Sequence, residues 1–430
     1  MKKTKLENLD LTLYEETLEN GLQVKILPNK NVNSQYATFT TFYGSRIDEF
    51  VPRGSKKMVK VPHGIAHFLE HKMFGQPDGG DAINLFSERG ASANAYTSFN
   101  RTVYQFSGNT CFAENLTTLL DFVQELYITE ENVEREKGII IQEAKMYLDR
   151  PGSRLYYSLL DQVFSKDPVR YPGIGSVDDI KAITVEELKM CYETFYHPSN
   201  MMLVISGNVD PEETLNLIKE NQKKKQFGPK QEIKLQTYQE PKHLHKKKIV
   251  FHMNVEIPKI SYNIKVDMRQ WNEQDKMNRL PYLSFFFDIH FGTRSTLVEK
   301  LKKEGIITSS LGVMMTDYGD YLVIAIDGES EKPNDLLNAI EKEMKNTKIT
   351  DEDFERYKKI LISNRIYQSD DIYMMNDRIV WQMTEYHRVL TDEVSRIRSF
   401  RLEEYQKVMK EISLKESGYV LLLPTERQEL

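Results

Sequence analysis

Alternating apolar and polar residues mark the first readable elements of the chain. In TLENGLQVKIL at 17 to 27 and YATFTTFYG at 36 to 44 apolar side chains return at every second position, which predicts two strands. NLTTLLDFVQELYI at 115 to 128 changes to a helical period. From about 219 to 248 the chain turns polar, with Lys223, Lys224, Lys225, Gly228, Pro229, Pro241 and the KHLHKKK run, before the apolar IVFHMNV begins. The second half then repeats the rhythm of the first. KISYNIKVDM reads as a strand, MNRLPYLSFFFDIHFG as a helix, DYLVIAIDGES as a strand and NDLLNAIEKEMKN as a helix. A chain of 430 residues exceeds what one core usually supports, so the pattern predicts an α+β protein of two domains, 1–220 and 249–430, joined by a polar linker at 221–248.

One segment carries chemistry. VPHGIAHFLEHKMFG contains His67, Glu70 and His71 in the order H-x-x-E-H. On a helix, residues four apart share a face, so His67 and His71 can bind one ion with Glu70 beside them. Catalytic zinc usually takes three protein ligands and leaves a position for water, so a further carboxylate is needed. Glu143 is the best candidate: in TEENVEREKGIIIQEAKMYLD it lies two helical turns from Glu136, and both acids stand among apolar residues that include Ile139, Ile140 and Ile141. One zinc ion held by His67, His71 and Glu143 would lower the pKa of its water to roughly 7, and Glu70 fits as the general base. His63 lies four residues before His67, but Pro62 and Gly64 place it at the helix entrance, outside the metal set.

The chain resembles the inverted-zinc-motif metallopeptidases of the pitrilysin and insulysin superfamily. Within it, the likeness is to small half-length members akin to mitochondrial processing peptidase beta-type subunits and bacterial peptide-maturation proteases. Six segments carry it in order: LENGLQVKILPNK at 18 to 30, ATFTTFYGS at 37 to 45, GIAHFLEHKMF at 64 to 74, GASANAYTSFNRTVYQFS at 90 to 107, VEREKGIIIQEAKMYLD at 133 to 149, and YHPSNMMLVISGNVDPE at 196 to 212. The resemblance implies two duplicated α/β-roll domains of the mitochondrial-processing-peptidase-like metallohydrolase type, of which the first keeps the zinc and the second has lost it. It also implies that Glu136 lies behind the zinc histidines and orients them, and that the second domain, through Tyr318 in TDYGDY, helps stabilise the oxyanion. Members of this length act as dimers, so a homodimer, or a heterodimer with a related subunit lacking the zinc motif, is expected. The second half departs from the family pattern in two places: Gly292 stands alone where related subunits carry several glycines, and GIIT at 305 to 308 replaces a glycine-leucine-alanine-tyrosine sequence.

SANAYTS at 92 to 98 is short, small and polar, so Asn94, Ala95 and Tyr96 can form a strand edge that pairs with an extended peptide. Composition fits this substrate and limits others. A net charge of −6 gives no cationic field for nucleic acid. With 40% hydrophobic and 28% charged residues there is no membrane span, and MKKTKLENLDLTLYEE has acids where the apolar part of a signal peptide would stand, so the expected location is the cytoplasm. Cys111 and Cys191 are too few for a disulfide framework or a cysteine metal site. His243 and His245 alternate with lysines that repel cations, His290 sits in a segment with no H-x-x-E-H, and Met201, Met314, Met374, Trp271 and Trp381 read as packing. The function expected is zinc-dependent endopeptidase cleavage of extended peptides, precursor or leader peptides foremost. Two rivals are a non-catalytic scaffold or binding subunit, which would be favoured if a motif residue were missing, and a zinc hydrolase of a non-peptide amide, which would not need the edge at 92 to 98.

Overall fold

The computed structural model describes residues 1–425. The two alternating segments near the start become strands within a longer series. In chain order these are β1 (Lys2–Lys5), β2 (Thr12–Thr17), β3 (Gln23–Pro28), β4 (Gln35–Thr41), β5 (Glu49–Phe50), β6 (Val59–Lys60), β7 (Ser92–Thr97), β8 (Thr102–Gly108) and β9 (Met201–Gly207). In the second half they are β10 (Lys248–Met253), β11 (Lys259–Asp267), β12 (Gly312–Asp317), β13 (Tyr321–Glu329) and β14 (Ser417–Pro424).

The first sheet has the order β1-β2-β3-β9-β4-β8-β7 and the second the order β10-β14-β11-β13-β12. Once β1 and β2 are set aside, the two orders are the same. Strand β3 pairs with β9 in parallel as β10 does with β14, and the remaining neighbours in both sheets are antiparallel. The helices agree as well. Ile65–Met73, Ala82–Ser87, Phe112–Val123, Glu130–Asp149 and Pro151–Val163 follow the strands of the first repeat where Glu273–Phe291, Thr296–Lys303, Pro333–Glu343, Asp351–Gln368 and Ile372–Tyr386 follow those of the second. The fold is therefore α+β and duplicated.

The chain forms two compact units that are not its sequential halves. One comprises 1–144, 172–237 and 363–396; the other comprises 145–171, 238–362 and the chain from Ile397 on. The crossing at 237–238 falls inside the polar 221–248 stretch. The other exchanges come from one helix of each repeat. Pro151–Val163, encoded with the first repeat, packs on β14, β11 and β10, and Ile372–Tyr386, encoded with the second, packs on β9 and β4. The reason is visible in their buried faces. Met375, Ile379, Val380 and Met383 join Leu13, Leu27, Met202 and Val204 in one apolar cluster. Buried Asn376 accepts from Thr38 Oγ1 at 2.6 Å and donates to Val204 O at 3.0 Å. In the other unit, buried Gln162 accepts from Asn263 Nδ2 at 2.7 Å and donates to Lys247 O at 3.0 Å. Each amide thereby ties its helix by hydrogen bonds to polar groups of the sheet region beneath it.

In the first unit the opposite face of the sheet carries Tyr104 and Phe106 of β8, which pack on Phe122 and Phe112 of the Phe112–Val123 helix. With helices on both faces, β9 is buried at every position, which explains why MMLVISG reads as a continuous apolar run rather than an alternation. Strand β7 ends the sheet and alternates between exposed and half-buried. Among the described residues no helix is long and apolar enough to cross a membrane.

Candidate metal centre

The motif helix, Ile65–Met73, starts at Gly64, whose φ of 85° is the left-handed region. A Cβ there would stand 2.2 Å from Ile174 O, and one on Gly175, with φ of 83°, would stand 2.4 Å from His63 O. This close backbone approach fixes the helix entrance. His63 sits at that entrance with Nδ1 3.8 Å from Asp48. Beyond it, Ile65, Ala66, Phe68, Leu69 and Met73 are buried. The remaining stripe holds His67, Glu70 and His71.

Glu130–Asp149 supplies the facing side chains. Val133, Ile140 and Ala144 are its buried residues, and Glu136 and Glu143 lie along the same stripe. Of the three isoleucines in its middle only Ile140 is fully buried, while Ile139 is exposed. His67 Nε2 is 3.9 Å and His71 Nε2 3.5 Å from Glu143 Oε2. One donor atom from each of the three residues lies within 4.8 Å of the other two. Zinc takes nitrogen and oxygen ligands at about 2.0–2.2 Å, which places tetrahedral donors roughly 3.3–3.6 Å apart, so the set fits such an ion with little movement.

The outer contacts differ between the two histidines. His71 Nδ1 is 3.2 Å from Glu136 Oε1, and the other Glu136 oxygen accepts from buried Lys72 Nζ at 3.3 Å. A carboxylate can only accept, so Nδ1 keeps a proton on the Glu136 side and Nε2 is the ring nitrogen left to serve as a metal ligand beside Glu143. His67 Nδ1, in contrast, is buried with no hydrogen-bond partner among the described residues. Burial, together with the neighbouring His71, holds the His67 pKa below the ordinary imidazole range, which keeps it neutral and able to ligate. Burial would lower that of His71 too, but its bonds to Glu136 and Glu143 reverse the sign and raise it. Glu136 is held below the usual carboxylate range, because the His71 bond and the Lys72 charge outweigh burial.

Glu70 is buried and accepts from Thr97 Oγ1 at 2.5 Å. Burial raises its pKa, with the Thr97 bond opposing, which makes it a stronger proton acceptor than a surface glutamate. Thr97 and Lys72 have no sequence signal of their own, because each acts through a contact made only on folding.

The remaining candidates fall in two places. Asn94, Ala95 and Tyr96 lie on β7, the last strand of its sheet, with Asn94 and Tyr96 exposed. The Ala95 N–H donates to Asn94 Oδ1 at 2.9 Å, so a docking carbonyl would have to displace that side chain. Tyr318 belongs to the second unit, where it is 1% exposed, its hydroxyl 3.3 Å from that of Tyr156 and its ring 5.2 Å from Phe164. His290 is buried in the same unit, with Nδ1 2.6 Å from Glu343.

Comparisons with known proteins agree on one family. The sequence model of the insulinase family, peptidase family M16, matches residues 44–176, the stretch that holds the H-x-x-E-H helix and Glu143. That of the peptidase M16 inactive domain matches 182–361. The uncharacterized zinc protease YmfH of Bacillus subtilis (strain 168) is 40% identical over 418 residues, 96% of each chain. The mitochondrial-processing peptidase subunit beta of Caenorhabditis elegans is 28% identical over 201 residues, 45% of this chain and 41% of that one. The structure of an M16-like peptidase from Alicyclobacillus acidocaldarius matches with a TM-score of 0.91 at 32% identity, covering 98% of this chain and all of that one, 100%. Likeness of this extent, running through both repeats, shows that the chain belongs to the insulinase family of peptidases, family M16, in the pitrilysin-type superfamily.

Proposed function

We propose that this chain is a zinc-dependent endopeptidase that hydrolyses extended peptides, precursor or leader peptides foremost, in the cytoplasm. One observation carries the reading: the donor atoms of His67, His71 and Glu143 converge within 4.8 Å beside a buried glutamate that is held by the last residue of an edge strand. A bound zinc supplies Lewis acidity and a water whose pKa is lowered to roughly 7. The protein's part is to place groups around that chemistry. A peptide adding to the free edge of β7 is held through its backbone, with little demand on side-chain identity and with folded proteins excluded. Glu70 takes the proton of the attacking water and passes it to the leaving amine. Glu136 keeps His71 in its ligating tautomer. The working assembly in this reading is a homodimer, or a heterodimer with a related subunit lacking the zinc motif.

The test is zinc content and cleavage of a quenched peptide library by the purified chain beside Glu70→Gln, alone and with a related subunit. Loss of kcat by roughly two to four orders of magnitude in Glu70→Gln, with zinc retained, is the expected result. Full zinc occupancy with no cleavage by the wild type in any pairing would overturn the general peptidase reading in favour of a binding subunit.

A further inference from the structure

Glu70 ends a chain of hydroxyl groups. Thr97 Oγ1 lies 2.5 Å from Glu70 Oε2 and 3.1 Å from Thr102 Oγ1, and Thr102 Oγ1 donates to Tyr43 O at 3.0 Å. Thr97 and Thr102 are direct cross-strand partners on β7 and β8, and Thr102 is fully buried. The residues after Thr97 are fixed as well. Ser45 N–H donates to Ser98 O at 2.9 Å and Arg46 N–H to Phe99 O at 3.0 Å. A Cβ on Gly44 would stand 2.4 Å from Ser98 O, so only glycine lets the two segments come this close.

Counting protons along the chain gives its behaviour. Each hydroxyl has one to donate, and the Tyr43 carbonyl can only accept. While Glu70 is a carboxylate, both ends of the chain are acceptors, and two protons serve two of the three contacts. Thr97 gives its proton to Glu70 Oε2 and Thr102 gives its own to Tyr43 O, so the other Glu70 oxygen is the one left to exchange a proton with the attacking water. Oε2 thus keeps its partner before and after proton transfer at the other oxygen, with no change of rotamer. An apolar side chain at 97 would leave a buried carboxylate with that partner missing.

We infer that Thr97 is the positioning residue for the base: its hydroxyl holds Glu70 in one place through both halves of the reaction, and it does so from the end of the strand on which the peptide docks. Substrate and base are thereby set against one residue, with the docked backbone registered on β7 and the carboxylate on the side chain that closes it. This rests on the peptidase reading of Glu70.

The experiment compares the zinc-loaded wild type with Thr97→Val, Thr97→Ala and Thr97→Ser on one cleaved peptide, with zinc content, circular dichroism and melting measured for each. Thr97→Val should lower kcat on the order of ten- to a hundredfold, with KM and zinc content within about twofold of wild type, and Thr97→Ser should recover most of the loss. Thr97→Ala reports the missing hydroxyl independently if valine disturbs the strand, and should fall as valine does. Wild-type kcat in a folded Thr97→Val or Thr97→Ala, or a fall in Thr97→Ser as deep as in valine, would overturn the inference. Failure of the underlying reading has a different signature, in which the zinc-loaded wild type itself cleaves nothing.

Discussion

In the candidate metal centre Glu136 touches the ligand set through His71. Its oxygen lies 3.2 Å from Nδ1, on the side of the ring away from Glu143. Replacing it by Gln keeps the shape but exchanges a charged acceptor for an amide that can also present its NH2, so the ring is no longer held in one tautomer. Zinc affinity should fall about 10- to 100-fold, as it does when such outer carboxylates are removed elsewhere. Glu143→Ala removes a donor outright, and the purified variant should carry little zinc. Competition with a chelator of known affinity separates the two, and equal affinity for wild type and Glu136→Gln would remove Glu136 from the site. These roles differ in how far the sequence discloses them. His67, Glu70 and His71 stand out by spacing alone, and Glu143 by its two-turn offset from Glu136 across Ile139, Ile140 and Ile141. Thr97 is not, since 27 residues separate it from Glu70 and only the pairing of β7 with β8 beside the motif helix brings them together.

At the scale of elements, a buried ion pair secures the end of the Pro151–Val163 helix in its unit. The Glu240 carboxylate accepts from the backbone N–H groups of Ser165, Lys166 and Asp167 just beyond that helix. Lys265 of β11 donates to Glu240 at 3.0 Å, to Val163 O at 2.9 Å and to Pro241 O at 2.8 Å, with its ammonium 4.5 Å from the Tyr321 ring centroid. Burial would raise the Glu240 pKa, but these donors reverse the sign and hold it below the usual range. A carboxyl whose folded pKa is depressed adds stability that is present above its unfolded pKa, about 4.3, and that is lost as pH falls through the folded value. Glu240→Gln should therefore cost about 3–5 kcal/mol at pH 7, because Lys265 is left buried without its counter-ion. It should also flatten the loss of stability as pH falls below the unfolded value of about 4.3. Urea unfolding across that range checks both, and parallel pH profiles for the two proteins would count against the pair. Nothing in QEPKHLHKKK announces this, because the three N–H groups and the lysine come from distant stretches of chain.

For the whole molecule, reciprocal exchange of helices decides what can fold. Periodicity shows that Pro151–Val163 and Ile372–Tyr386 each bury a face, but it cannot say against which sheet, and the nearest one in sequence is the wrong one for both. That is why the break readable at 221–248 does not delimit two independent bodies. A chain cut there would leave the first half without Met375, Ile379, Val380 and Met383, exposing Leu13, Leu27, Met202 and Val204 to water. Thr38 Oγ1 and Val204 O would lose Asn376 as well. The second half would lack Pro151–Val163 and the loop that feeds three N–H groups to Glu240. At about 1.5–3 kcal/mol for each large apolar side chain left uncovered, either loss is comparable with the whole 5–15 kcal/mol stability of an ordinary domain. We expect residues 1–230 and 231–430, expressed separately, to be insoluble or unfolded, and the same two pieces expressed together to co-purify and bind zinc. Size-exclusion chromatography with metal analysis reads both outcomes. A well-folded, zinc-binding 1–230 would show that the first repeat closes its own core, and that the helix lent by the second contributes little to it.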